Sequence, residues 1–286
     1  MRKRNIRSIF GFALLGALCC GQVASAIGQD KPKLTRDEVY RTIARQVNAQ
    51  TESPMTDVLG VLDELIEVGE ITVSDKDGKA TVIVKEKVAT HNPTNKTIRL
   101  VFAPAAGGKW VWESFENDRK LYPVERLYPY TKDDLGRRRQ VTVVQWGTLV
   151  DAMTKQADAA FKVLDTAKVI IRSDPAPLGP VTTARAALAK ARETNQADVI
   201  ISAYKELARA AEPVATLSDS FPDLKTNDAY LRLQDELKGA QNRLAVARKD
   251  YVTSVAEYNE YIVRLPFALV AYGLGFQKIE PQIEAE

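Results

Sequence analysis

Beyond Lys33 the apolar positions fall first at helical spacing. Thr35 precedes Asp37 and Glu38, a capping residue with a glutamate three positions on and acids in the first turn, and Val39, Ile43 and Val47 follow four apart. A second helix is predicted over about Met55 to Val68, with Val58, Leu62, Leu65 and Ile66 on one face. From Glu70 the period falls to two. Ile71 and Val73 alternate with polar neighbours, Asp77-Gly78 marks a hairpin turn, and the run from Thr81 to Val88 is rich in β-branched residues. Pro93 and Asn95 interrupt it, and two further strands are predicted in Ile98 to Ala103 and Lys109 to Phe115, joined by Ala105-Ala106-Gly107-Gly108. This region, 34–131, reads as an α+β domain in which helices pack on an antiparallel meander. The repeated Leu121-Tyr122-Pro123 and Leu127-Tyr128-Pro129 read as pins of an extended exit segment.

Lys132 to Arg139 is charged and contains Gly136, and the spacing places a linker at 132–140. Beyond it the chain becomes alanine-rich and helical. One segment runs from Val144 to Ile171 and another from Thr183 to Leu217, split near Asn195 or at Pro213. In the last helix Leu237, Leu244, Tyr251 and Tyr258 recur at heptad spacing, with Ala240, Ala247, Val255 and Ile262 between them, and Pro266 ends the run. A stripe of that length packs lengthwise on other long helices, so 141–286 is expected to be an all-α bundle of long antiparallel helices with coiled-coil packing.

The first residues change the charge picture. Arg2, Lys3, Arg4 and Arg7 precede the uncharged run Ile9 to Cys20, and Ala24-Ser25-Ala26 supplies a small-residue cleavage pattern. The run is well short of the roughly 20 residues that span a bilayer. Residues 1–26 therefore read as a cleavable signal peptide, giving a periplasmic or secreted protein that needs no membrane association after cleavage. A retained anchor and a lipidated cysteine are the alternatives. The formal net charge of +3 becomes −1 once that segment leaves, with 36 basic against 37 acidic residues, and no nucleic-acid partner is expected. Cys19 and Cys20 lie in the same segment, so the remainder has no thiol for a disulfide or a metal.

Several motifs of the last helix come in register. Phe221-Pro222-Asp223-Leu224-Lys225, then Leu231 to Leu237, then Asn242-Arg243-Leu244-Ala245-Val246-Ala247-Arg248-Lys249-Asp250-Tyr251 resemble the carboxyl half of the LemA family. Val255, Tyr258-Asn259, Pro266 and Gly275-Phe276 continue the likeness, which extends more weakly back to about Gln145. The resemblance implies a bundle of long antiparallel helices in a bacterial envelope protein, with no established catalytic activity for the family as a whole. Here an unrecognised α+β region precedes the bundle, the family's basic segment of the first bundle helix is not recognisable around Lys155 to Leu164, and Val252 stands where the family commonly has Asn.

Candidate chemistry is sparse. His91, the single histidine, lies in a loop beside Pro93 without a nucleophile motif, so no catalytic residue, metal site or cofactor is expected. Asp75 and Asp77 read as a hairpin turn rather than a calcium loop, and Gly273-Leu274-Gly275 lacks the features of a phosphate loop. Glu236, Asn242, Arg243 and Arg248 must be solvated or paired, as interhelical bonds or as a partner-binding face. Asn242, Arg243 and Arg248, with Tyr258, Asn259 and the aromatic pair Trp110 and Trp112, which share a strand face and belong to a core or a glycan- or peptide-binding face, form the candidate binding set. The expected function is a non-catalytic interaction or scaffolding component of the envelope, with an unidentified envelope protein or a second copy as partner. The alternatives are an envelope hydrolase acting on peptidoglycan or peptide, and a small-ligand or inhibitor module in the amino-terminal domain.

Overall fold

A computed structural model describes residues 33–50, 57–87, 97–117 and 119–283. The signal-like segment, both cysteines and His91 lie outside the described residues. Helix α1 (Arg36–Asn48) starts at Thr35, whose side chain accepts the Glu38 N–H as the motif predicts. Helix α2 (Val58–Leu65) begins at Asp57, whose carboxylate accepts from Gly60 N. It ends earlier than its apolar pattern suggests. Ile66 and Val68 instead open strand β1 (Ile66–Val73), where alternate positions face the core and pair with Glu86 and Val84 of β2 (Ala80–Glu86). Strands β3 (Thr97–Ala105), β4 (Lys109–Asn117) and β5 (Lys120–Pro123) complete a five-stranded antiparallel sheet in sequential order. The turn before β2 places Gly78 at φ +69°, a backbone region that favours glycine.

The linker expected at 132–140 is replaced by helix. A single helix of 45 residues, α3 (Leu127–Ile171), begins at the second Leu-Tyr-Pro element and runs unbroken through the charged stretch. The charges that suggested a solvated connector stabilise the helix from within: Asp134 meets Arg137 at 3.1 Å and Arg138 at 3.0 Å, the i,i+3 and i,i+4 spacings of one helical face. Helices α4 (Leu178–Thr194) and α5 (Ala197–Ala211) follow, split at Asn195 in a left-handed conformation, one of the two expected break points. Short turns α6 (Leu217–Ser220) and α7 (Pro222–Lys225) lead into α8 (Asp228–Ile262), capped by the Asn227 side chain.

Two apolar clusters result. One joins α3, α4, α5 and α8 through side chains such as Leu149, Met153, Leu188, Leu207, Leu237 and Leu244. The other lies between α1, α2 and the inner face of the sheet, and it also takes in Leu127 and Leu135 of α3, Tyr258 and Ile262 of α8, and the buried run Leu265–Ala271. The chain's last described segment thus completes the amino-terminal core, and residues Leu34–Glu286 form one compact unit. Gly273 shows how tight that closure is, because a β-carbon there would stand 2.2 Å from Val47 Cγ1 of α1. Glu86 of β2 ties the same segment to the sheet by accepting from Leu265 N at 2.9 Å.

Candidate functional site

Helix α8 carries two parallel stripes. The heptad stripe Leu237, Leu244, Tyr251 and Tyr258 is buried, as its spacing predicts. One position back around the helix lies a second stripe, Arg243, Val246 and Asp250, which is exposed. The helix runs antiparallel to α3, as three cross-contacts show: Lys162 to Glu236 at 3.0 Å, Trp146 against Tyr251 at 5.4 Å, and Arg138 over Tyr261 at 3.3 Å. Along one seam the two helices leave a groove of about 450 Å³. Thr148, Asp151 and Lys155 of α3 and Asn242, Arg243 and Val246 of α8 are among its lining residues. Val246 is 59% exposed, and Val144 at 56% and Val141 continue the α3 side at three- and four-residue spacing.

The groove offers shape and charge rather than a nucleophile with its base. The Thr148 hydroxyl donates to the Val144 carbonyl at 3.1 Å, and Asp151 is held by Arg192 at 2.6 Å. Among the described residues, the side chains of Lys155, Arg243 and Asp250 have no ion-pair or hydrogen-bond partner.

The other candidate residues separate into different places. Arg248 lies on the opposite flank of α8, in a cavity of about 430 Å³ with Lys249, Gln156 and Tyr204, whose hydroxyl donates to Gln156 Oε1 at 3.0 Å. Glu236 forms the interhelical pair with Lys162. Tyr258 and Asn259 fasten the terminal segment: the Tyr258 hydroxyl donates to the Gln277 carbonyl at 3.0 Å, and burial pushes that phenol above its ordinary range. Asn259 Nδ2 donates to the Ile279 carbonyl at 2.7 Å, and its Oδ1 accepts from Ile279 N at 2.8 Å. That two-point clasp imitates a strand pairing.

The glycan- or peptide-face reading of Trp110 and Trp112 fails, because they are 3% and 0% exposed. Trp112 sits where the β3–β4 register shifts, and the Gln46 side chain of α1 bonds both its backbone N–H and its carbonyl, at 2.6 and 2.9 Å. Its indole N–H donates to the Ser114 carbonyl, so no group is left for a ligand.

Residues 145–286, which hold the α3–α8 groove, both flanks of α8 and the clasped terminal segment, match the model of the LemA family. The carboxyl-terminal half of the chain belongs to the LemA family. No curated protein matches the chain. The LemA region begins at Gln145, in the middle of α3, so the family boundary cuts a continuous helix rather than a connector.

A second cavity is lined by residues outside the LemA region. Phe115 of β4 and Tyr122 of β5, cross-strand partners with rings 5.9 Å apart, join Pro129 and Tyr130 of α3 around a space of about 480 Å³, with Arg126 and Asp133 among its lining. Tyr130 stacks on Phe267 of the LemA region at 5.5 Å. Sequence reasoning missed this cluster because its members come from three elements; the signal that pointed to it was the Leu-Tyr-Pro repeat.

Proposed function

We propose that this protein is a non-catalytic interaction or scaffolding component of the bacterial cell envelope, and that the α3–α8 groove of its LemA region is the face on which a helical partner docks. The observation that carries the reading is the groove itself, with buried Ala152, Ala240 and Ala247 in its lining, exposed Val246 beside them, and Lys155, Arg243 and Asp250 around it, none of them ion-paired among the described residues. Two side-by-side helices with small apolar residues between them present a surface on which the helices of a partner pack, ridges against grooves. The basic, then apolar, then Ala24-Ser25-Ala26 leader supports the location, and no helix among the described residues is long and apolar enough to cross a membrane.

The test places a photo-crosslinking residue at Val246 in the full chain within bacterial cells, with Val111 on the sheet as control. A discrete crosslinked band from position 246 in the envelope fraction is the expected outcome. Absence of any band specific to that position, or recovery of the protein only in the cytosol, overturns the reading.

A further inference from the structure

The inference rests on the groove reading and names its occupant. We propose that the groove docks against the same groove of a second copy of this chain, antiparallel, about a twofold axis passing beside Val246. The order of charges along the groove sets the orientation. One end of the groove carries Lys155 and Arg243, and the other carries Asp250. Asp151, near the middle, is already neutralised by Arg192.

On α8 the two ends are one heptad apart, roughly 10 Å along the axis, and Val246 lies between them. A closed twofold interface brings residue i of one copy to residue j of the other and j back to i. Centred beside Val246, that operation sets Arg243 of each copy against Asp250 of the other, and the two Val246 side chains against each other. It also sets Lys155 opposite Thr148, close to the partner's acidic end, because α3 and α8 run antiparallel through the same levels. A parallel arrangement would face basic end with basic end. The groove is thus complementary to itself in one orientation only, with an apolar centre and charged flanks, as in antiparallel helix pairs that choose register by flanking charges.

The test is sedimentation of the protein purified from bacterial cells as those cells process it, with the substitutions R243D and D250R alone, mixed and combined. Both positions are exposed, and circular dichroism confirms that each variant keeps its helix content. The wild-type chain is expected to form dimers at tens of micromolar, weakened about threefold or more in 0.5 M salt. Each single variant, which places acid against acid or base against base twice per dimer, is expected to raise the dimer Kd at least about tenfold. Mixing the two single variants is expected to give a one-to-one heterodimer, and the double variant to dimerise as the wild type does.

A wild-type chain that stays monomeric at 100 µM, dimers indifferent to both substitutions, or mixed single variants that stay apart would each overturn the inference. A monomeric chain that still crosslinks another protein from Val246 in cells sinks the second-copy occupant and leaves the proposed function standing. Dimers with the expected charge rescue but no other crosslinked protein uphold this inference and confine the groove's partner to the chain itself.

Discussion

Replacing Asn259 by alanine removes both hydrogen bonds that clasp Ile279 to α8, at 2.7 and 2.8 Å, while leaving the apolar packing of the segment in place. Each bond contributes about 1 kcal/mol net, and the freed Ile279 amide and carbonyl lie in a part-buried seam where water can partly replace the side chain. The expected loss is therefore about 2 kcal/mol, which corresponds to roughly a thirtyfold rise in the population of the detached segment. Hydrogen exchange followed by mass spectrometry reads this directly, in peptides covering Tyr272 to Ile283. Those peptides should exchange about thirtyfold faster, and the midpoint of thermal unfolding should fall by roughly 4–8 °C if the segment unfolds with the rest. Asn259→Asp keeps the acceptor but sets a second oxygen against the Ile279 carbonyl, so it should loosen the segment at least as much as alanine does. Asn242→Ala, at the other asparagine of the LemA motif, changes an exposed residue of the groove and should alter stability by less than about 0.5 kcal/mol. Protection of the terminal peptides unchanged in Asn259→Ala, or loosened equally by Asn242→Ala, would refute the assignment of Asn259 as a structural clasp.

Gly273→Ala should destabilise the fold by about 1–3 kcal/mol in chemical denaturation, because the new methyl meets Val47 at 2.2 Å in a packed core; the pair Gly273→Ala with Val47→Ala should recover part of the loss. Glu86→Ala should cost about 1–2 kcal/mol by freeing the Leu265 amide, with Glu86→Gln recovering most of it. The phenol of Tyr128 is pushed up to about 12, first by burial and then by the negative charge of Glu125. A raised folded value means that the contribution is fully present below the unfolded value near 10 and is lost as pH rises toward 12, on the order of 2 kcal/mol in all. Absorbance titration at 295 nm should show this tyrosine ionising late and together with unfolding, whereas Tyr128→Phe should flatten the stability loss in that window.

Much of this architecture was legible from periodicity. The heptad stripe of α8, the Thr35 cap, the hairpin at Asp77-Gly78 and the meander all rest on local rules of spacing and turn chemistry, which act before tertiary contacts are made. What failed depended on partners far along the chain. Lys132 to Arg139 looks like a solvated connector until Leu135 is seen in the amino-terminal core and Arg138 over Tyr261. Ile66 continues a helical face in one dimension, yet its strand pairing with Glu86 takes precedence. Trp110 and Trp112 share a face as period two requires, but only the packing of α1 decides that this face is covered. For the candidate site, Asn242 and Arg243 sit in the groove, whereas Tyr258 and Asn259, equally prominent in the motif, are fasteners. A motif marks which residues a family keeps together; burial and bonding sort them into surface and clasp.

The unbroken α3 has a mechanical consequence. At 45 residues it is a rod of about 68 Å, with its first turns embedded beneath the sheet and its last turns in the bundle. A stiff rod transmits tilt without attenuation. A rotation of only about 1° at the sheet end displaces the far end by roughly 1 Å, comparable to the helix shifts that separate switching states in regulated proteins. A ligand that wedges the sheet against the first turns of α3 therefore works on a lever, and its effect would be felt as strain across the bundle rather than as a change confined to where it binds.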